Sequence, residues 1–297
     1  MTVIERERTQ WGFEEGEEIL PGRHALSLLG GGRRYEVYLA WDERLHSVVA
    51  VKLLRPDRID NPSDLGILRE EVAALRTLHH PVLPRCFDAD VDGERPYVLL
   101  EYLEGPRLST LIRRQRALAV EQALPLGLQL SSALHYMHAE GMLHLDVKPK
   151  NIVMGGPPRL VDLSVAMSLE RAVHHADPIG TDAYMAPEQC GVGRHAEIGP
   201  TTDLWGLGVT LYEAMTGRLP FPRGDAERTG EDRFTQLVHE PAPLPKAFPP
   251  VLSDPMLACL RHDPAERPVA AELYRALEPL VGALPTVPTV TRRRPRI

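Results

Sequence analysis

The sequence predicts an α+β fold in two lobes, a small N-terminal sheet with one helix and then a larger, mainly α-helical lobe. Three features predict it. Over residues 25–54, short apolar runs alternate with Gly-rich and charged turns, the pattern of short strands. Residues 64–78 place Leu65, Leu68, Val72, Leu75 and Leu78 three and four apart, the period of one helix face. After Gly105 the apolar residues recur mainly at helical spacing.

Taken in order, residues 1–20 are acidic and polar and read as a leader. Residues 37–39 and 48–54 read as strands, and Pro81 and Pro84 end the helix at 64–78. Residues 97–102 form a compact apolar strand. In the second lobe, Leu126, Leu130, Ala133, Leu134 and Met137 mark a long helix closed by Gly141. Residues 201–217 form another apolar helix, ending at Gly217. Residues 218–250 are rich in Pro, Arg and acids and read as a surface excursion around a short helix at 234–238. Residues 256–261 and 270–280 look helical, and 285–297 read as a disordered Pro/Thr/Arg tail. The expected organisation is a leader (1–20), one folded unit (21–280) with its lobes meeting at about 102–105, and a tail (281–297).

Composition excludes several classes. The 297 residues suit one large domain with two lobes or two ordinary domains, and 43% apolar content supplies a core. A net charge of −7 argues against a general nucleic-acid binder. Three scattered cysteines, Cys86, Cys190 and Cys259, suggest neither a disulfide framework nor a zinc site, and point to a reducing cytoplasm. The N-terminus lacks the apolar core of a signal peptide, and no apolar run of about 18 residues predicts a membrane span. The paired histidines (His79-His80, His135 and His138, His174-His175) have no acidic or cysteine partner that completes a metal site and read as surface or core residues.

The chemistry is concentrated in His144-Leu145-Asp146-Val147-Lys148-Pro149-Lys150-Asn151. A carboxylate, an ammonium and an amide at i, i+2 and i+5 suit phosphoryl transfer to a hydroxyl. They can take the proton, neutralise the moving phosphate and hold a metal ion. The chain has only four lysines, Lys52, Lys148, Lys150 and Lys246, in a background of arginine. Two of the four, Lys52 and Lys148, fall in the segments that carry the chemistry, and ammonium and guanidinium groups are not interchangeable. Gly30-Gly31-Gly32 sits between two predicted strands, where bare backbone N–H groups can approach phosphates. Val49-Ala50-Val51-Lys52 embeds one charge in an apolar strand, which is costly unless the charge is paired or bound to phosphate.

These segments resemble the eukaryotic-like (Hanks-type) serine/threonine protein kinases, in a bacterial-type soluble form. His144 to Asn151 is similar to their catalytic loop H-R-D-x-K-P-x-N, Gly30 to Val37 to the loop G-x-G-x-x-G-x-V, and Val49 to Lys52 to V-A-I-K. Asp162-Leu163-Ser164 stands at the D-F-G position. Gly180-Thr181-Asp182-Ala183-Tyr184-Met185-Ala186-Pro187-Glu188 resembles G-T-x-x-Y-M-A-P-E, and Asp263-Pro264-Ala265-Glu266-Arg267-Pro268 resembles D-P-x-x-R-P. The resemblance covers about 24–280.

It implies the bilobal protein-kinase fold, with an antiparallel small-lobe sheet, and a set of roles. Asp146 and Lys148 are catalytic. Lys52 reaches the α/β-phosphates of ATP and pairs with a glutamate on the next helix. Glu70 and Glu71 both qualify, and Glu71 fits the family spacing before Pro81. Gly30, Gly31 and Gly32 cradle phosphates, while Val37, Ala50 and Val153 sandwich the adenine. Leu100 is the gatekeeper, and the backbone of Glu101 and Leu103 meets the adenine edge. Asn151 and Asp162 hold Mg²⁺, with Mn²⁺ as an alternative. Glu188 pairs with Arg267, and Asp203 holds the catalytic loop. Arg33 and Arg34 are expected at a solvated loop tip.

Four positions depart from the family pattern: Tyr35 for the third glycine, Leu145 for the arginine, Leu163 for phenylalanine and Ser164 for glycine. Leu145 removes the usual phosphate-reading arginine, and Ser168 is the only hydroxyl between Ser164 and Thr181. The expected function is ATP-Mg²⁺-dependent, non-specific serine/threonine protein kinase activity, not gated by activation-segment phosphorylation. Its expected partners are ATP and a protein substrate, with no nucleic acid and no membrane span. The alternative is a pseudokinase scaffold that binds nucleotide or a partner. A small-molecule kinase is disfavoured by Ala186-Pro187-Glu188 and Arg267.

Overall fold

The computed structural model describes residues 9–191, 196–245 and 248–284. The expected disordered tail at 285–297 and the first eight leader residues lie outside that range.

β-branched and aromatic runs build a six-stranded sheet from β1 (Glu18–Leu20), β2 (Arg23–Gly31), β3 (Tyr35–Asp42), β4 (Ser47–Leu54), β5 (Cys86–Asp90) and β6 (Tyr97–Glu101). The order is β1-β2-β3-β4-β6-β5, with every neighbouring pair antiparallel. Helix α1 (Pro62–Thr77) starts where the Asn61 side chain accepts hydrogen bonds from Ser63 N and Asp64 N, with Pro62 at the first helical position. It buries Leu68, Glu71, Val72 and Leu75 and leaves Glu70 exposed.

The larger lobe is helical: α2 (Leu108–Gln115), α3 (Val120–Ala139), α4 (Leu169–His174), α5 (Pro200–Thr216), α6 (Pro250–Ala258) and α7 (Ala270–Gly282). Helix α5 is buried almost along its length, from Thr202 through Tyr212. Side chains of Leu211 and Leu277 come so near Gly127 that a Cβ there would lie 3.2 and 3.0 Å from them, so a glycine lets α3 settle against both partner helices. Short strand pairs β7 (Met142–Leu143) with β10 (Met167–Ser168), and β8 (Ile152–Met154) with β9 (Pro158–Leu160), frame the loop between the lobes. None of the helices among the described residues is long and apolar enough to cross a membrane.

Three expectations change. Trp11 lies in the stretch expected as leader, yet it is only 7% exposed. Its Nε1 donates to Leu54 O, its backbone N donates to Glu36 Oε2, and it stacks on Phe13 beneath the Arg95 guanidinium. The segment's polar composition hid two aromatic anchors. The helix expected at 256–261 instead begins at Pro250 and ends at Ala258. Pro249 and Pro250 sit at its start, where a missing N–H is harmless, and Pro255 lies inside it. The excursion at 218–250 has a short 3₁₀ turn, Thr235–Leu237, and is not wholly superficial: Phe234 and Gln236 are buried. Gln236 Nε2 donates to Asp182 O and Met185 O, which turns the excursion into a support for residues 182–185.

Candidate active site

The site lies where the sheet meets the loop 144–151. Lys52 projects from β4, opposite Val37 of β3 and Val98 of β6. Its Nζ donates to Glu71 Oε1 and Oε2 at 2.7 and 2.8 Å and to Asp162 Oδ1 at 3.2 Å. Glu71 therefore meets Lys52, while Glu70 pairs with Arg171 of α4 at 2.6 Å. Burial pulls the Lys52 ammonium down, but the Asp162 and Glu71 carboxylates outweigh it and raise its pKa. The Lys52 ammonium, against the effect of burial and helped by a Ser164 hydrogen bond, holds Asp162 well below the usual carboxylate range. Asp162 also has a left-handed backbone, φ +71°.

The loop residues converge. Asn151 Nδ2 donates to Asp146 O and Oδ2 at 3.0 Å each. Lys148 Nζ donates to Asp146 Oδ2 and to Thr181 Oγ1, both at 2.6 Å. Thr181 Oγ1 donates to Asp146 Oδ1 at 2.7 Å. Both oxygens of one carboxylate are thus oriented by fixed donors, and an ammonium lies beside it. That arrangement can accept a proton from a hydroxyl while neutralising a transferring phosphate.

The metal question turns on donor chemistry. With its NH₂ donated, Asn151 keeps a carbonyl oxygen, and Asp162 keeps an ionised carboxylate. Among the described residues no group of three or more His, Cys, Asp or Glu is placed to hold an ion. Two hard oxygen ligands without a full cage fit Mg²⁺, which takes few protein ligands and completes its shell with phosphate and water.

Gly30, Gly31 and Gly32 close the β2–β3 hairpin, with Gly30 opposite Val37 and Gly32 N donating to Tyr35 O at 2.9 Å. Ala50 lies opposite Leu100, and Ala50 and Val153 are buried. Glu101 ends β6 and its side chain meets Arg159 across the lobes. Leu103 lies two residues beyond the strand. Past it, the 101–105 connection touches the β8–β9 turn so closely that a Cβ on Gly155 would sit 1.6 Å from Glu104 O.

This architecture and site match a known family. The model of the protein kinase domain family covers residues 23–276. The chain belongs to the protein kinase family. It is similar to a probable serine/threonine-protein kinase, CPE1738, of Clostridium perfringens, with 28% identity over 92% of this chain and 40% of the relative. It is 32% identical to the probable serine/threonine-protein kinase SCO3848 of Streptomyces coelicolor over 86% of this chain and 39% of the relative. It is also 32% identical to the serine/threonine-protein kinase PknA of Mycobacterium tuberculosis over 93% of this chain and 64% of the relative. The chain thus spans less than two thirds of the length of each of these relatives.

Within the kinase domain, several contacts escaped sequence reasoning. Thr181 stands 35 residues from Asp146, and only its segment, not its hydroxyl, stood out in the sequence. Gln189 Nε2 donates to Leu145 O and Ile179 O, tying the catalytic loop to the segment that follows Asp162. His138 meets Asp203 at 2.9 Å, so one of the histidines expected to lack an acidic partner has one on the central helix α5. Arg34, expected at a solvated tip, is tied by its Nε to the buried Asp64 of α1 at 2.7 Å. None of these four partnerships has a fixed spacing that a single sequence could reveal.

Proposed function

We propose that this chain transfers the γ-phosphate of ATP to serine or threonine hydroxyls of protein substrates, acting in the cytoplasm through a kinase domain at 21–280. The observation that carries this reading is the Asp146 carboxylate held by Lys148, Asn151 and Thr181. In this mechanism Asp146 receives the proton of the substrate hydroxyl, and Lys148 offsets the charge on the transferring group. Lys52, kept cationic and aligned by Glu71, binds the α/β-phosphates. Gly30, Gly31 and Gly32 offer backbone donors. Val37, Ala50 and Val153 enclose the adenine, beside Leu100 and the backbone of Glu101 and Leu103. A divalent cation at Asn151 and Asp162, Mg²⁺ or alternatively Mn²⁺, supplies further charge neutralisation for the phosphates. A binding scaffold has no chemical need for this complete set of charges.

The activity is not gated by phosphorylation of the segment after Asp162. Leu145, where a phosphate-reading arginine is usual, is buried in an apolar cluster with Leu143, Met167, Ala172 and Ile198.

Transfer of labelled γ-phosphate to the protein itself and to a generic basic protein tests the reading. Asp146→Asn and Lys52→Met should each lower transfer by roughly 100-fold or more. Full transfer by both variants would overturn the assignments.

A further inference from the structure

Tyr35 occupies the position where the phosphate-loop pattern has its third glycine, and the structure gives its side chain a definite place. It opens β3, opposite Leu54, with its side chain on the same strand face as Val37, whose partner across β4 is Lys52. The ring is 9% exposed, and Lys52 Nζ lies over it, 4.4 Å from the ring centroid. Cation and ring face at this separation attract electrostatically, more strongly when water is excluded. The phenol hydroxyl is buried and makes no hydrogen bond. An orphan hydroxyl is unfavourable, so hydrogen bonding gives no reason for tyrosine here; the ring face does. The neighbouring contacts hold that face still. Tyr35 O accepts from Gly32 N, and Arg34 is tied to Asp64 of α1.

We propose that Tyr35 is the positioning residue of Lys52. Its ring forms one wall beside the ammonium, which Glu71 and Asp162 hold from other sides. Lys52 is thereby kept in its phosphate-binding place before nucleotide arrives, and the glycine loop is fastened to the Lys52–Glu71 pair rather than left free. A glycine at this position has no side chain to do this. The consequence for ATP rests on the kinase reading above; the contact between ring and ammonium does not.

Two measurements on the full chain test it. The protein has four lysines, so lysine labelled at the ε-carbon gives four ε-methylene signals, and Lys52 is identified by its loss in Lys52→Met. Shielding by the ring should place the Lys52 signal upfield of the other three in the wild type and in Tyr35→Phe, and return it to their range in Tyr35→Leu. ATP dissociation constants should follow: Tyr35→Leu weakens binding about tenfold, and Tyr35→Phe restores it. An unshifted Lys52 signal in the wild type overturns the proposal, even if Tyr35→Leu does not fold. So does a Tyr35→Phe variant that binds ATP as weakly as Tyr35→Leu, since the hydroxyl would then be the active group. A wild type that binds no ATP, with the shifted signal present, defeats the kinase reading and leaves the Tyr35–Lys52 contact standing.

Discussion

At the scale of single residues, Asp203 carries the heaviest duty. Its two oxygens accept from Leu145 N at 2.7 Å and His144 N at 2.9 Å, and Oδ2 also meets His138 Nε2 at 2.9 Å. Burial alone would raise the carboxyl, but the hydrogen bond from His138 and the donors around it outweigh burial and hold it below the usual value. A depressed carboxyl gives stability that is complete above the unfolded value, about 3.9, and is lost as pH falls through the folded one. Urea unfolding across pH should show the wild type losing stability from about pH 5 downward, with a smaller loss for Asp203→Asn. Equal acid dependence in the two would show that the carboxylate is not the group responsible. In sequence, Asp203 was legible through its place in Thr202-Asp203-Leu204-Trp205-Gly206. Its tie to His138 was not, because 65 residues separate two side chains that only the packing of α3 on α5 brings together.

At the scale of elements, an apolar cluster joins the catalytic loop to the segment after Asp162. Leu145 has φ +61°, an unfavourable backbone for leucine, and is 3% exposed. Around it, Leu143, Met167, Ala172 and Ile198 are buried together, with Ile179 packed against them. Ser168 is the N-cap of helix α4, its hydroxyl accepting from Arg171 N, and Arg171 then pairs with Glu70 of α1. That ion pair is exposed and contributes little, about 0–1 kcal/mol. The apolar cluster is the larger effect. Protein treated with a phosphatase should therefore retain its activity, measured as initial rate of phosphate transfer. Leu145→Arg should lose stability by about 3–5 kcal/mol, since it places an unpaired charge in that cluster. A phosphatase-treated sample that is inactive would show the cluster insufficient to order the segment. The missing hydroxyls could be counted in the sequence. The apolar cluster that takes their place could not, because Ile198 reaches it from beyond the segment.

Across the whole molecule, one buried ion pair closes the larger lobe. Glu188 and Arg267 are 79 residues apart, and Arg267 Nη1 and Nη2 donate to both carboxylate oxygens at 2.6 and 2.9 Å. Arg267 also donates to Arg261 O and His262 O and lies over the Trp205 ring. Thr202 adds a hydrogen bond to Glu188 from α5. Three separated stretches of chain therefore meet on one bidentate pair. Arg267→Leu takes the bidentate donor from a buried carboxylate, so it should cost about 3–5 kcal/mol, read as a lower urea midpoint. A midpoint unchanged from wild type would mean that Glu188 reaches water or another cation.

The sequence by itself determined the element types, the order of the motifs and the pairing partners implied by that order. Strand and helix periods follow from local burial, and motif residues carry their chemistry in their side chains. Tertiary structure alone decided what surrounds Leu145, where Trp11 docks and which face of Tyr35 is used. Each of those depends on distance and direction between elements far apart in the chain, and side-chain type and spacing hold no record of either.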